Sequence, residues 1–117
     1  MFGEKFDLEN DEMILTINSP KGRLEGPYVV VYKDLAERWA IVAFLWDEFP
    51  VLGIRWFWDY NGNPISNYHP IWFVIPSALQ NAILNGLPLE FQFRDKLNRF
   101  LAGEILGEEL RKKGRSQ

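Results

Sequence analysis

The sequence predicts an α+β domain: a mostly antiparallel sheet of five to six strands, arranged as a half-barrel or roll, with two helices packed against it. Three observations support this fold class. Short β-branched and aromatic runs, separated by turn residues, fill much of the first two thirds of the chain. Apolar residues recur at helical spacing near residues 76–86 and 95–112. The 117 residues are 47% hydrophobic, which suffices for one core, so we expect a single domain over 1–117.

The two ends of the chain are rich in charge. Residues 1–12 are mostly acidic and predict a polar leader on the surface rather than core, and residues 113–117 form a basic tail that we expect to fray. After the leader, residues 13–18 form a short β-prone run. Turn residues at 19–22 close this first predicted strand.

Two longer strands are predicted at 28–33 and 38–46, and the residues between them, 34–37, predict a hairpin loop. The second strand alternates so that Trp39, Ile41, Ala43 and Leu45 share one face, while Ala40, Val42, Phe44 and Trp46 share the other. Both faces are apolar. This pattern is typical of a central strand that is covered on two sides.

A further strand is predicted at 51–58, after a carboxylate-containing turn at 47–50. The alternation along this strand places Arg55 among apolar neighbours on its own face. Asn61 and Gly62 follow, and because both residue types tolerate a positive φ, the pair predicts a type I′ hairpin turn.

The last third of the chain combines one more strand with helices. A strand at 71–75 ends at Pro76, whose fixed φ suits the first turn of a helix over 76–86. Residues 89–94 alternate like a half-buried strand, with a helix as the alternative. A C-terminal helix is predicted over 95–112 from an apolar stripe at helical spacing.

Composition excludes several kinds of site. The chain contains no Cys, which excludes disulfides and thiolate metal sites, and its single histidine, His69, excludes multi-histidine metal centres. We therefore predict no metal and no cofactor. The net charge of −3 argues against nucleic acid as a partner, and no apolar run is long enough to span a membrane. A cytoplasmic location is expected from the same absence of Cys.

One stretch of the chain lacks formal charge. No Asp, Glu, Lys or Arg occurs from residue 60 to residue 89. Because so long a stretch cannot be buried completely in a small domain, part of it is expected to face a ligand, a partner or a second subunit. We therefore predict a homo-oligomer, with a dimer as the simplest closed form.

The segment from residue 55 to residue 72 is the richest in aromatic and hydrogen-bonding side chains. It predicts a pocket for a small aromatic or cationic ligand, because bulky rings can stack on such a ligand while an arginine or amide orients it. The predicted ligand-binding residues are Arg55, Trp56, Trp58, Tyr60 and Trp72. The competing interpretation is that the Trp residues belong to the core and the Asn residues only form turns.

The favoured interpretation includes no catalytic residue, but one enzymatic alternative can be stated with named residues. Asp59, Ser66 and His69 supply the chemical types of a catalytic triad, although no nucleophile elbow and no glycine pair for an oxyanion hole accompany them. A small hydrolase or isomerase that uses His69 and Asp59 is therefore the alternative. The favoured interpretation is a non-enzymatic small-molecule-binding or protein-interaction module.

Three short motifs carry a resemblance to other proteins. They are Leu52-Gly53-Ile54-Arg55-Trp56-Phe57, Asn61-Gly62-Asn63-Pro64 and Trp72-Phe73-Val74-Ile75-Pro76. With these motifs the chain resembles, over roughly residues 28–90, small uncharacterised bacterial proteins of the integron gene-cassette type. The resemblance implies a bacterial accessory protein. It carries over no functional residue, because such proteins mostly lack assigned activities.

Overall fold

The computed structural model describes residues 6–58 and 62–112. The secondary structure comprises helices α1 (Asp11–Ile14), α2 (Ser77–Gly86), α3 (Phe91–Leu101) and α4 (Gly107–Arg111), and strands β1 (Leu24–Asp34), β2 (Trp39–Trp46), β3 (Phe49–Trp56), β4 (Ile65–Ser66), β5 (His69–Pro70) and β6 (Phe73–Val74). The prediction of an α+β fold with an antiparallel sheet is confirmed. The predicted tail at 113–117 and the residues Asp59, Tyr60 and Asn61 lie outside the described residues.

Four strands form an open antiparallel sheet in the order β1-β2-β3-β6, and β4 and β5 pair with each other in a separate small hairpin. The loop between β1 and β2 spans residues 35–38, close to the predicted 34–37. Strands β2 and β3 are joined by Asp47 and Glu48, with φ of 50° and 75°. Two consecutive residues at positive φ are the mark of the type I′ turn that suits the twist of a hairpin.

Strand β2 is covered on both faces, as its alternation predicts. On one face, Ile41 and Ala43 belong to a core cluster that includes Leu84, Leu97 and Leu110 from the helices. The opposite face contributes Ala40, Val42 and Phe44 to a second cluster, which is completed by Leu8, Ile14 and Ile17 from the N-terminal segment and by Phe57 and Trp72. The sheet is therefore the middle layer of three, between α2–α4 and the N-terminal residues.

The N-terminal segment differs from its prediction. Residues 13–18 do not form a strand; instead α1 begins after Asn10, whose side chain accepts a hydrogen bond from the Met13 N–H at 3.3 Å. A capped helical turn satisfies the backbone groups that an unpaired strand would leave open. Leu8 of the expected surface leader is also buried and Phe6 packs against the same core cluster, while residues 9–12 are exposed.

The helical part of the chain is partly as predicted. Helix α2 occupies nearly the predicted range, although Gln80 and Leu84 are the side chains that it buries. Residues 89–94 are not a strand, because α3 starts at Phe91 and buries Leu97 and Phe100 at helical spacing. The predicted single helix over 95–112 is divided into α3 and α4.

The division follows from Gly103, which has a φ of 80° and lies just after α3. Glycine is favoured at this left-handed position past a helix end. The Gly103 N–H donates to the Phe100 carbonyl at 2.9 Å, and the Glu104 N–H donates to the Arg99 carbonyl at 2.8 Å, which closes the helix. Over residues 6–58 and 62–112, no helix has the length and apolar character needed to cross a membrane.

Candidate functional site

A cavity of about 330 Å³ lies between the segment after α1 and the loop region that follows β3. Residues 16–19 form one wall, with Phe6 beside them. The opposite wall is formed by Arg55, Phe57, Gly62, His69 and Pro70. The volume is within the range of small-molecule sites in proteins, and the lining mixes two phenyl rings with a guanidinium, an imidazole, an amide and hydroxyl groups.

Arg55 is the central side chain of this cavity wall and is fully buried. Its Nη1 donates hydrogen bonds to the carbonyl oxygens of Pro64 at 3.0 Å and Ile71 at 2.7 Å, and its guanidinium carbon lies 5.1 Å from the centre of the Phe57 ring. Burial lowers the pKa of Arg55 to about 10, so the side chain keeps its positive charge at neutral pH. Arg55 thus joins the strand β3 to the loop that closes the cavity.

Gly62 lies next to Arg55 in a conformation that only glycine adopts without strain. Its φ is 67°, and a Cβ at this position would overlap the Trp56 carbonyl oxygen and lie 2.7 Å from Nη2 of Arg55. The backbone of the loop therefore approaches the guanidinium as closely as the absence of a side chain permits. This close approach shapes the cavity wall.

Aromatic packing connects the two walls. The Phe57 ring lies 4.8 Å from the Phe6 ring and 6.3 Å from the Trp72 ring, measured between centroids. The indole N–H of Trp72 donates to the Ile17 carbonyl at 2.8 Å, and its side chain is buried. Trp72 is therefore a core residue that holds the N-terminal wall against the sheet, and its contact with a ligand stays a prediction.

His69 and Ser66 face each other in the small β4–β5 hairpin. The turn between them consists of Asn67 and Tyr68, with φ of 51° and 67°. Directly opposed residues in a hairpin share a face, so the two side chains are neighbours. Both are exposed. The third residue of the predicted triad, Asp59, lies outside the described residues.

Of the four predicted ligand-binding residues that the structure describes, only Arg55 lies in the wall of this cavity. Trp56 and Trp58 are 40% and 44% exposed and do not line it, and Tyr60 lies outside the described residues. Trp56 does not line the cavity because the alternation of side chains along β3 directs it to the face opposite Arg55 and Phe57. That alternation was readable from the sequence.

Residues 16–19 and Phe6 are the part of the cavity that sequence analysis missed. They are separated from Arg55 by more than 35 positions, and no local pattern predicts that the N-terminal segment crosses this face of the sheet. Phe57 could have been identified, because it shares the Arg55 face of the predicted strand. Among the described residues, no group of three or more potential metal-ligating side chains is present.

A second surface feature lies at one end of the sheet, on the helix side. We call it the strand-end patch and define it by Trp39, Ile54, Trp56 and Phe73. Trp39 is directly opposite Trp56, and Ile54 is directly opposite Phe73, so the four side chains are adjacent on one face. Trp56 and Phe73 remain 40% and 56% exposed, because the helices cover the other end of this face.

No protein-family model, curated protein or solved structure matches this chain. The resemblance to proteins of the integron gene-cassette type therefore stays a prediction.

Proposed function

We propose that this protein is a non-enzymatic small-molecule-binding module whose ligand occupies the cavity between Arg55 and His69. The observation that carries the proposal is the convergence of a buried guanidinium and the Phe57 ring on one cavity of suitable volume. A ring of the ligand packs against Phe6, in front of the buried Phe57 ring, and a polar group of the ligand faces His69 and the Asn18 amide, with the positive charge of Arg55 buried behind them.

The charge of the cavity wall bears on the choice of ligand. The sequence allows an aromatic or a cationic ligand, but the described lining residues include Arg55 and His69 and no carboxylate. A cationic ligand would be repelled by Arg55, whereas an aromatic carboxylate would be attracted. We therefore propose an aromatic ligand that carries an anionic or a neutral polar group.

The test uses the single histidine of the chain, whose imidazole NMR signals report on the cavity wall without ambiguity of assignment. Benzoate, benzamide and benzylamine are titrated as probes that differ in charge, followed by a wider library of aromatic metabolites. We expect benzoate or benzamide to shift the His69 signals more than benzylamine does. Absence of any shift across the library would refute the cavity as a ligand site.

A cavity-filling variant provides the control. Asn18→Trp places a large ring in the wall and is expected to abolish the ligand-induced shifts, whereas Gln92→Trp places the same ring on the exposed surface of α3 and is expected to leave them intact. If both variants bind equally well, the ligand lies elsewhere.

The alternative is a small acid–base enzyme that uses His69 and Asp59, and its support is the place of His69 in the cavity wall. It requires that a ligand of the cavity be converted. Each ligand identified above is incubated with the wild type and with His69→Ala, and its NMR spectrum is followed over time. Turnover that disappears in His69→Ala would favour the enzyme, while unchanged ligand would favour the binding module.

We also propose that two copies of the chain associate through the strand-end patch. Its four side chains are uncharged and apolar, and a two-fold symmetric contact would remove the exposed rings of Trp56 and Phe73 from water. Light scattering after size exclusion is expected to give the mass of two chains for the wild type and of one chain for Phe73→Glu. Phe91→Glu is the matched control, because Phe91 is 77% exposed on α3, away from the patch. A wild type with the mass of one chain would refute the dimer.

The location and the biological role of the protein are proposed from its composition and motifs. We propose a cytoplasmic location from the absence of Cys, and a bacterial accessory role from the three motifs named above. Membrane and nucleic-acid partners are not proposed, since the net charge is negative.

A further inference from the structure

A polar groove between α2 and α3 lies apart from the Arg55 cavity. Its volume is about 530 Å³, and its polar lining consists of Ser77, Gln80, Asn81, Asn85 and Asn98, with Leu101 and Ala102 at one side. All of these side chains are uncharged. The groove belongs to the charge-free stretch 60–89 and to the helix that follows it, and the proposed function does not use it.

Gln80 is the unusual member of this groove. It is 7% exposed, and among the described residues its Nε2 has no hydrogen-bond partner. A buried amide donor without an acceptor costs free energy, so a native protein retains one when the group serves a purpose. Because Gln80 lines the groove, an acceptor on a ligand in the groove can satisfy this donor.

The asparagines of the groove also indicate a ligand site. Asn81 and Asn85 lie within α2 one helical turn apart, and Asn98 lies within α3. Asparagine is a poor helix former, and exposed helix positions are normally filled by better formers such as Lys, Glu or Ala. Three asparagines on facing helix surfaces thus lower the intrinsic stability of both helices. A ligand in the groove that contacts these amides would offset this cost.

The groove is also held in a fixed shape. Arg94 of α3 donates hydrogen bonds from Nε to the Leu84 carbonyl at 3.0 Å and from Nη2 to the Leu87 carbonyl at 2.9 Å. These bonds satisfy carbonyl groups at the end of α2 and fix α2 against α3. Leu84 and Leu97 are fully buried between the two helices and the sheet. A rigid groove positions its amides before a ligand arrives, which lowers the entropic cost of binding.

We propose that this groove binds a neutral, hydroxyl-rich ligand, a small saccharide or polyol. Side-chain amides both donate and accept hydrogen bonds, and so do hydroxyl groups, so the two chemistries are complementary. The absence of charge among the described lining residues disfavours phosphates, carboxylates and amines as principal ligands. Leu101 and Ala102 offer an apolar surface for the C–H groups of a sugar ring.

The test follows the side-chain amide signals of Gln80, Asn81 and Asn98 in nitrogen–proton NMR spectra. Glucose, maltose and trehalose serve as neutral probes, and glucuronate and glucosamine as charged ones. We expect saturable shifts of these amide signals with at least one neutral saccharide and weaker shifts with its charged analogues. The proposal is overturned if no neutral saccharide shifts the signals, or if charged analogues or a neutral blocked peptide shift them more.

Variants separate binding from folding. Gln80→Met keeps the length and helix propensity of the side chain but removes the amide, so we expect it to lose saccharide binding at least tenfold without a lower melting temperature. Gln92→Met, which removes an exposed amide of α3 outside the groove lining, is the matched control and is expected to bind as the wild type does. Undiminished binding by Gln80→Met, or a lower melting temperature with binding retained, would assign Gln80 a purely structural role and refute the proposal.

Discussion

Arg55 is a buried cation whose guanidinium donates hydrogen bonds to backbone carbonyl groups of the loop after β3. Its hydrogen bonds to the carbonyl groups of Pro64 and Ile71 add to the backbone bond from the Ile71 N–H to the Pro64 carbonyl at 3.1 Å. A buried charge is expensive to desolvate, and the lowered pKa of Arg55 records that cost. The residue is nevertheless retained, because two carbonyl oxygens and the Phe57 ring surround it.

Replacing Arg55 should therefore loosen the loop. We expect Arg55→Met to lower the free energy of unfolding by about 2–3 kcal/mol, because two carbonyl groups lose charge-assisted hydrogen bonds while the desolvation cost of the cation is relieved. Arg55→Lys should recover part of this loss, since an ammonium reaches one of the carbonyls. Urea unfolding measures both. Equal stability of Arg55→Met and the wild type would contradict the structural role of the guanidinium.

Glycine positions give a second residue-scale prediction. Gly62 and Gly103 both have positive φ, but a Cβ at Gly62 would overlap the Trp56 carbonyl oxygen, whereas nothing lies within 4 Å of one at Gly103. We expect Gly103→Ala to cost about 1 kcal/mol from the left-handed backbone alone, and Gly62→Ala to cost at least about 2 kcal/mol. Thermal unfolding distinguishes the two. Similar losses of stability in both variants would show that the loop makes room for a Cβ at Gly62 without further cost.

At the scale of elements, the turns were easier to predict than the short helices. Asp47 and Glu48 form the expected turn between β2 and β3. Helix α1, by contrast, replaces a predicted strand, and α3 begins within residues 89–94, for which a strand was predicted with a helix as the alternative. The run Leu-Glu-Phe-Gln-Phe-Arg at 89–94 fits a strand period over six residues, but Leu97 and Phe100 extend a helical period that buries more apolar surface. A longer stretch of sequence than these six residues therefore favours the helix.

The contact between β1 and α4 yields a prediction about alkaline pH. Burial, and then the hydrogen bond to Glu25, raises the pKa of the Tyr28 phenol above its ordinary value of about 10. At a pH between the ordinary and the raised pKa, the unfolded chain has lost the phenol proton while the folded chain keeps it. The stabilisation is therefore complete below pH 10 and is lost as the pH rises further.

Tyr28→Phe removes this proton linkage. We expect the free energy of unfolding of the wild type to fall more steeply above pH 10 than that of Tyr28→Phe, by up to about 1.4 kcal/mol per pH unit. Arg55 acts in the opposite direction, because its lowered pKa makes the folded chain lose a proton first, but it is common to both proteins and cancels in the comparison. Parallel curves for the two proteins in urea titrations at several pH values would contradict the expectation.

At the scale of the molecule, a three-layer arrangement follows from strands that are apolar on both sides. Strand β2 contributes to both core clusters, so the helical layer and the N-terminal layer share one sheet. A shared sheet couples the layers, because loss of either exposes one face of the same strands to water. The domain is expected to unfold as one cooperative unit.

Substitutions on opposite faces of the sheet test this coupling. Leu52 and Ile14 are both fully buried, in the helix-side cluster and in the N-terminal cluster respectively. We expect Leu52→Ala and Ile14→Ala each to lower the free energy of unfolding by about 2–5 kcal/mol. In both variants, circular dichroism and Trp fluorescence should follow one transition. Leu35→Ala, in an exposed loop, is the control. A separate early transition in Ile14→Ala would show that the N-terminal layer unfolds independently.

The sequence by itself determined the long strands β1, β2 and β3, the two-sided burial of β2, the helix α2 and the apolar surroundings of Arg55. These features depend on period-two alternation, turn residues and the position of Pro76, which act over a few neighbouring residues. Only the tertiary structure decided that residues 16–19 meet Arg55 and His69 to form a cavity, and that Trp72 joins the core. Trp72 binds the Ile17 carbonyl across 55 positions of the chain, and no local pattern encodes such a contact, because burial of the second sheet face selects it.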